Sequence, residues 1–110
     1  MTPYKDTIVT DICTIREFDS NVNEESLVWH RDETKRTVIV MEGEGWLFQR
    51  DNELPISIGK GTVIDIPSNE FHRLHKGKTH LKLKILNDWR TIKVAYRKTI
   101  NRKRMSVLEF

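Results

Sequence analysis

The chain has 110 residues, a common length for one domain with its own hydrophobic core. It carries 19 Lys and Arg residues against 16 Asp and Glu residues, a net charge of +3, and 37% of its residues are hydrophobic. This composition excludes a disordered tail, which combines low hydrophobicity with high net charge. The longest apolar run, residues 38–41, is far shorter than the roughly 20 residues that span a bilayer, so we expect no membrane partner.

A single cysteine, Cys13, excludes an internal disulfide. The first six residues, MTPYKD, lack the basic segment and apolar core of a secretory signal. Together these features predict a reducing, cytoplasmic location. Cys13 lies in a segment that alternates apolar and polar residues, and this position favours a structural thiol over a nucleophile.

Short β-like runs follow one another along the chain and are separated by turn residues. In chain order they are residues 7–15, 27–29, 36–41, 46–50, 54–58, 62–66, 71–74, 81–85 and 89–96. We find no long amphipathic helix pattern among them. Short strands at close, regular spacing predict an all-β sandwich or barrel, and the absence of a linker predicts one domain over residues 1–110.

The apolar run at residues 38–41 interrupts the alternation, because both faces of that strand are apolar. A strand that is apolar on both faces usually has a second layer outside it. In a domain of this size the second layer could be another subunit. We therefore expect a homodimer.

The two parts of the chain carry opposite charge. Residues 1–70 hold 7 basic and 14 acidic residues (7 − 14 = −7), and residues 71–110 hold 12 basic and 2 acidic residues (12 − 2 = +10). We favour an arrangement in which the two parts pack together and largely neutralise each other. The alternative is that the basic segment at residues 97–104, RKTINRKR, docks on nucleic acid or an acidic partner.

Alternation also selects candidate site residues. If one strand runs from residue 30 to residue 40, His30, Asp32 and Arg36 share a face with Val38 and Val40. The two valines should face the interior. The three polar side chains should then point inward as well, near the mouth of whatever the strand lines.

Three further histidines follow. His72 and His75 are an odd number of positions apart, so on a continuous strand they face opposite sides and cannot share a site without a bulge. His80 is in phase with Lys82 and Lys84, which predicts a solvent position, and we favour a solvated position for His75 too. His72 is therefore the candidate site histidine.

These segments resemble the two motifs of the cupin superfamily over about residues 27–86. The resemblance is carried by WHRD at residues 29–32, the glycine turn EGEG at residues 42–45, and GTVIDIPSNEFH at residues 61–72. Asn69 stands where the family usually has glycine, and asparagine tolerates the left-handed backbone that such a turn needs. The resemblance implies a double-stranded β-helix, a small jelly-roll barrel with its site in the barrel mouth.

The resemblance also implies metal ligands, but the first motif departs from the family pattern. His30 and His72 match the first and last ligands, Asp32 stands at the position of the second histidine, and Arg36 replaces the glutamate. In one interpretation His30, Asp32 and His72 form the two-histidine, one-carboxylate triad of non-haem iron oxygenases, for Fe or alternatively Mn, Ni or Zn. Arg36 would then hold a substrate carboxylate.

In the second interpretation Arg36 pairs with Asp32 and the site is metal-free. His30 and His72 would then line a polar pocket for an anionic or sugar-like ligand, or act as acid and base. Both interpretations stay open from the sequence. In either case we expect a small polar or anionic ligand in the barrel mouth and, if the protein is an enzyme, chemistry like that of an iron oxygenase or a sugar isomerase or epimerase.

Overall fold

A computed structural model describes residues 2–87 of the chain. The eight strands are β1 (Lys5–Thr10), β2 (Cys13–Phe18), β3 (Arg36–Glu42), β4 (Trp46–Arg50), β5 (Ile56–Ile58), β6 (Val63–Ile66), β7 (His72–His75) and β8 (Leu81–Asn87). The described residues form no α-helix, only a 3-10 turn at Glu24–Ser26, and they include no helix able to span a membrane. The candidate strand at residues 89–96 and the basic segment at residues 97–104 lie outside the described residues.

Two antiparallel sheets make up the fold. The larger has the strand order β1-β2-β8-β3-β6, and the smaller has the order β5-β4-β7. The order of strands in the larger sheet differs from their order along the chain, since β8 lies between β2 and β3. The predicted all-β architecture is confirmed.

One hydrophobic core joins the two sheets. Its buried members are Phe18, Val22, Leu27, Val38, Val40, Trp46, Phe48, Ile58, Ile64, Ile66, Leu81, Leu83 and Ile85. Trp46 is fully buried, and its indole N–H donates to the backbone oxygen of Thr79 at 2.8 Å. This bond satisfies the polar atom of the indole ring inside an apolar core.

Three predicted elements are wrong in detail. Residues 27–29, predicted as a β-like run, belong to no strand. Residues 7–15 form a hairpin of β1 and β2, with a turn at Asp11 and Ile12, and not one strand. The predicted strand from residue 30 begins only at Arg36, because the polar residues 31–35 offer no apolar side chain to bury. Within β3 the predicted alternation is confirmed, since Val38 and Val40 are buried.

The turn before β8 tolerates no side chain at Gly77. A Cβ there would collide with the Trp46 ring and with the backbone oxygen of Glu44. We predict that Gly77→Ala lowers the free energy of unfolding by about 2 kcal/mol, as overpacking of a core does. Gly59→Ala is the control, because a Cβ at Gly59 meets nothing within 4 Å. Urea unfolding measures both variants, and equal midpoints would contradict the prediction.

Candidate metal and ligand site

Two backbone hydrogen bonds hold His30 beside His72. The His30 N–H donates to the His72 carbonyl at 3.0 Å, and the His72 N–H donates to the His30 carbonyl at 2.9 Å. The imidazole rings then pack edge to face, with centroids 4.2 Å apart. The backbone alone therefore brings the two candidate histidines together.

The loop before His72 places Asp32 in the same site. Asn69 has φ 62°, the left-handed conformation predicted for it, and its N–H donates to the Asp32 carbonyl at 2.7 Å. Arg50 anchors this loop, since it donates to the Glu70 carboxylate at 2.5 Å and to the Asp65 carbonyl at 2.6 Å. A loop fixed at these points holds the Asp32 backbone close to the histidines.

The hydrogen bonds of the two imidazoles define which ring nitrogen can bind a metal. Nδ1 of His30 lies 3.2 Å from the Val28 carbonyl, and Nδ1 of His72 lies 2.9 Å from the Glu70 carbonyl. A carbonyl oxygen only accepts, so each Nδ1 carries the proton. Both Nε2 atoms are left with a free lone pair, the arrangement that metal-binding histidines use.

Asp32 uses one carboxylate oxygen for Arg36 and leaves the other free. Its Oδ1 lies 3.3 Å from Nη1 of Arg36, and its Oδ2 lies 3.5 Å from Nε2 of His72. Oδ2 is buried and has no hydrogen-bond partner among residues 2–87. Two lone pairs at this distance repel each other unless a cation or a proton lies between them.

The donor set therefore fits a divalent cation. His30, Asp32 and His72 each offer one ligand atom, and all three atoms lie within 4.8 Å of one another. Nitrogen and oxygen donors of this kind suit first-row transition metals. The Arg36 ion pair does not remove Asp32 from the set, because it engages only Oδ1.

Burial keeps His72 in the neutral form that a metal needs. His72 is 5% exposed, and its ring packs against Phe48 with centroids 5.7 Å apart. Desolvation lowers the pKa of His72. The Glu70 carbonyl and the Asp32 carboxylate act in the opposite direction, and the neighbouring His30 and Arg36 lower the pKa further.

A cavity of about 50 Å³ brings the four predicted residues together. Its lining contains His30, Asp32, Arg36 and His72 together with eight apolar side chains, Phe48 among them. Arg36 Nε is buried and has no hydrogen-bond partner in the described part of the chain. The four side chains thus line one cavity as expected, although the continuous strand from which their direction was inferred exists only from Arg36 onward. The binding role of these residues stays a prediction.

The other two histidines lie outside this cavity. His75 faces the opposite side of β7 from His72, and its Nε2 lies 2.8 Å from Oε1 of Gln49. It is half-buried, so the solvated position expected for it is wrong. His80 is exposed as predicted, and its hydrogen bond lowers the pKa of the Glu42 carboxyl.

The groups that orient the two imidazoles were not predicted from the sequence. These are the backbone carbonyls of Val28 and Glu70 and the ring of Phe48. Every residue has a carbonyl, so no residue type marks such a role. Phe48 gave a partial signal, since it lies in phase with Trp46 on β4, but a core position explains that phase equally well.

Comparison with known proteins identifies the fold. No protein-family model and no curated protein matches the chain. Solved structures do match, including an RmlC-like cupin family protein with a double-stranded β-helix fold from Methanocaldococcus jannaschii. It is 12% identical, with a TM-score of 0.62, and the match covers 86% of each chain. The protein has the cupin fold.

Two further solved structures of similar fold belong to longer chains. A cupin 2 conserved barrel domain protein from Leptotrichia buccalis is 26% identical, with a TM-score of 0.58 over 77% of this chain and 40% of the other. Cobalt(II) HppE in complex with Tris buffer is 15% identical, with a TM-score of 0.63 over 80% of this chain and 55% of the other. The chain thus spans about half of each or less, and the predicted double-stranded β-helix is confirmed.

The lowered pKa of His72 predicts a stability change with pH in the metal-free protein. Between the folded pKa and the higher unfolded pKa, the unfolded chain binds more protons, so the free energy of unfolding falls as the pH drops from about 7 to 5. One group contributes at most about 1.4 kcal/mol per pH unit. Urea unfolding at both pH values should show a smaller loss for His72→Gln than for the wild type. Equal losses would contradict this assignment.

Proposed function

We propose that the barrel mouth binds a small anionic molecule together with a divalent metal ion. The observation that carries this proposal is a pair of buried polar atoms on one cavity, Asp32 Oδ2 and Arg36 Nε, neither of which has a partner among residues 2–87. A buried polar atom without a partner is costly. Asp32 Oδ2 is an acceptor that a metal cation would satisfy, and Arg36 Nε is a donor that an anion would satisfy.

The metal would be held by Nε2 of His30, Nε2 of His72 and Oδ2 of Asp32. Three protein ligands leave further coordination positions for a ligand, as in sites that favour Fe(II), and Mn, Ni and Zn accept the same donors. A metal bound here would polarise an oxygen atom of the ligand. Cobalt(II) HppE, a protein of similar fold, supports the metal part of this proposal.

Arg36 would hold the anionic group of the ligand. Its guanidinium cannot lose its proton, and the edge that carries Nε suits a carboxylate, which accepts two parallel hydrogen bonds. The side chain is 23% exposed, so the guanidinium is partly shielded from water. Partial burial strengthens a charge-assisted contact relative to one on an open surface.

The reaction class stays a prediction. Iron-dependent oxygenation and acid–base chemistry on a sugar both use residue types present here, and no contact among the described residues of the site favours one over the other.

The homodimer is also part of the proposal. The outward-facing residues Ile39 and Met41 on β3 are half-buried, and Val63 on the neighbouring β6 is 60% exposed, which is an apolar surface that a second subunit could cover.

Metal binding is the first test. We predict that untagged protein binds about one Mn(II), Ni(II) or Zn(II) per chain, and Fe(II) under anaerobic conditions, in calorimetric titrations. Asp32→Asn and His72→Ala should each lower the affinity at least about 100-fold, since losing only the hydrogen-bond partner of a ligand costs roughly 10–100-fold. His80→Ala is the control, because His80 also pairs with a carboxylate but lies on the exposed surface.

The metal titrations distinguish three alternatives to the proposed site. Loss of metal only in His72→Ala would remove Asp32 from the ligand set. Equal loss in His80→Ala would show surface binding and contradict the site. No binding of any of the four metals would overturn the metal part of the proposal and leave an anion pocket built around Arg36.

A substitution of Arg36 provides a second test, because the positive charge of Arg36 should weaken the binding of the metal and strengthen the binding of the anion. We predict that Arg36→Met raises metal affinity by about tenfold or more, since a nearby positive charge that repels the metal is removed. The same change should abolish the binding of acetate, measured by NMR titration of the Zn(II)-loaded protein. A fall in both affinities would contradict the assigned role of Arg36.

A further inference from the structure

A second, larger cavity opens beside the site. It measures about 260 Å³, and its lining is almost entirely apolar. The lining residues include Tyr4, Phe18, Leu27, Val28, Leu74 and His30. The lining includes no Asp, Glu, Lys or Arg among residues 2–87, in contrast to the smaller cavity.

The two cavities adjoin each other. His30 and Leu74 line both of them, so the cavity that contains the charged site residues and the apolar chamber meet at these two side chains. Leu74 lies on β7 in the same phase as His72, which places it on the inner face next to the site. A ligand that extends past His30 and Leu74 would contact Arg36 with one end and the apolar chamber with the other.

The wall of the apolar chamber is held in place by contacts that do not depend on a ligand. The Tyr4 ring packs on Phe18, with centroids 5.5 Å apart, and the Arg16 guanidinium lies over the Tyr4 ring, with its Cζ 3.7 Å from the ring centroid. Arg16 in turn donates two hydrogen bonds to the Asp6 carboxylate, at 2.8 and 2.9 Å. A preorganised wall reduces the ordering cost of binding.

We infer that the ligand is an amphipathic carboxylate, with its charged group at Arg36 and an aromatic or branched alkyl body in the apolar chamber. An apolar cavity of about 150 Å³ holds benzene, so this chamber accommodates one ring with a few further carbon atoms. Polyhydroxylated sugars are disfavoured, because apolar walls leave their hydroxyl groups without partners. This inference rests on the proposed function and specifies its ligand class.

The experiment compares three carboxylates on the Zn(II)-loaded protein by NMR titration: acetate, 3-phenylpropanoate and gluconate. We expect 3-phenylpropanoate to bind about tenfold or more tightly than acetate, because each buried methylene contributes favourably. Gluconate should bind no more tightly than acetate. The first comparison adds an apolar body, and the second adds a polar body at the same charged group.

Two matched substitutions locate the body of the ligand. Val28 and Val63 are both 60% exposed, but only Val28 lines the chamber. Val28→Asp should lower the ratio of the 3-phenylpropanoate affinity to the acetate affinity at least about tenfold, and Val63→Asp should leave that ratio unchanged. Val28→Asn, which is uncharged, replaces Val28→Asp if the latter fails to give the wild-type NMR spectrum.

The outcomes separate this inference from the proposed function. If acetate and Zn(II) bind but 3-phenylpropanoate gains nothing, the apolar chamber is not a subsite and the proposed function stands. Equal effects of Val28→Asp and Val63→Asp would also overturn the inference, because they would show a general charge effect. If none of the three carboxylates binds, both the inference and the anion part of the proposed function are wrong.

Discussion

The candidate site depends on the two backbone hydrogen bonds between His30 and His72. Among residues 2–87 they are the only β-pairing of the segment that leads into β3, since residues 31–35 belong to no strand. These bonds use backbone atoms, so they position the two residues whatever their neighbours are. The side chains at positions 32 and 36 can therefore differ from the cupin pattern, as Asp32 and Arg36 do, without moving the histidines apart.

Much of the fold was predictable because its strands alternate and end at turn residues. The Gly61, Pro67 and His72 spacing was the strongest signal, and the positive φ of Asn69 explains why asparagine can replace glycine there. The hairpin at Asp11 was not predictable, since its turn contains neither glycine nor proline. That turn is closed instead by a hydrogen bond from the Ile12 N–H to the Thr10 hydroxyl oxygen, at 3.3 Å.

The site was predictable only in part. Alternation indicated the direction of Arg36 on β3, but it could not show that the Asp32–Arg36 ion pair leaves Oδ2 free, so that Asp32 stays available as a ligand. The apolar chamber gave no sequence signal. Its wall requires Tyr4 to stack against Arg16, and that contact follows from the register of β1 on β2, which pairs Asp6 with Arg16.

The charges of the site imply that the two proposed ligands assist each other. With neutral histidines, Asp32 and Arg36 cancel, so the empty site offers no net charge to a cation. A divalent metal that binds without the anion is repelled by the positive charge of Arg36. This charge is close to the metal ligand Asp32, since Nη1 of Arg36 lies 3.3 Å from Oδ1 of Asp32. A carboxylate at Arg36 neutralises that repulsion, and the metal in turn attracts the carboxylate. Because coupling between two bound species is reciprocal, each should raise the affinity for the other by the same factor.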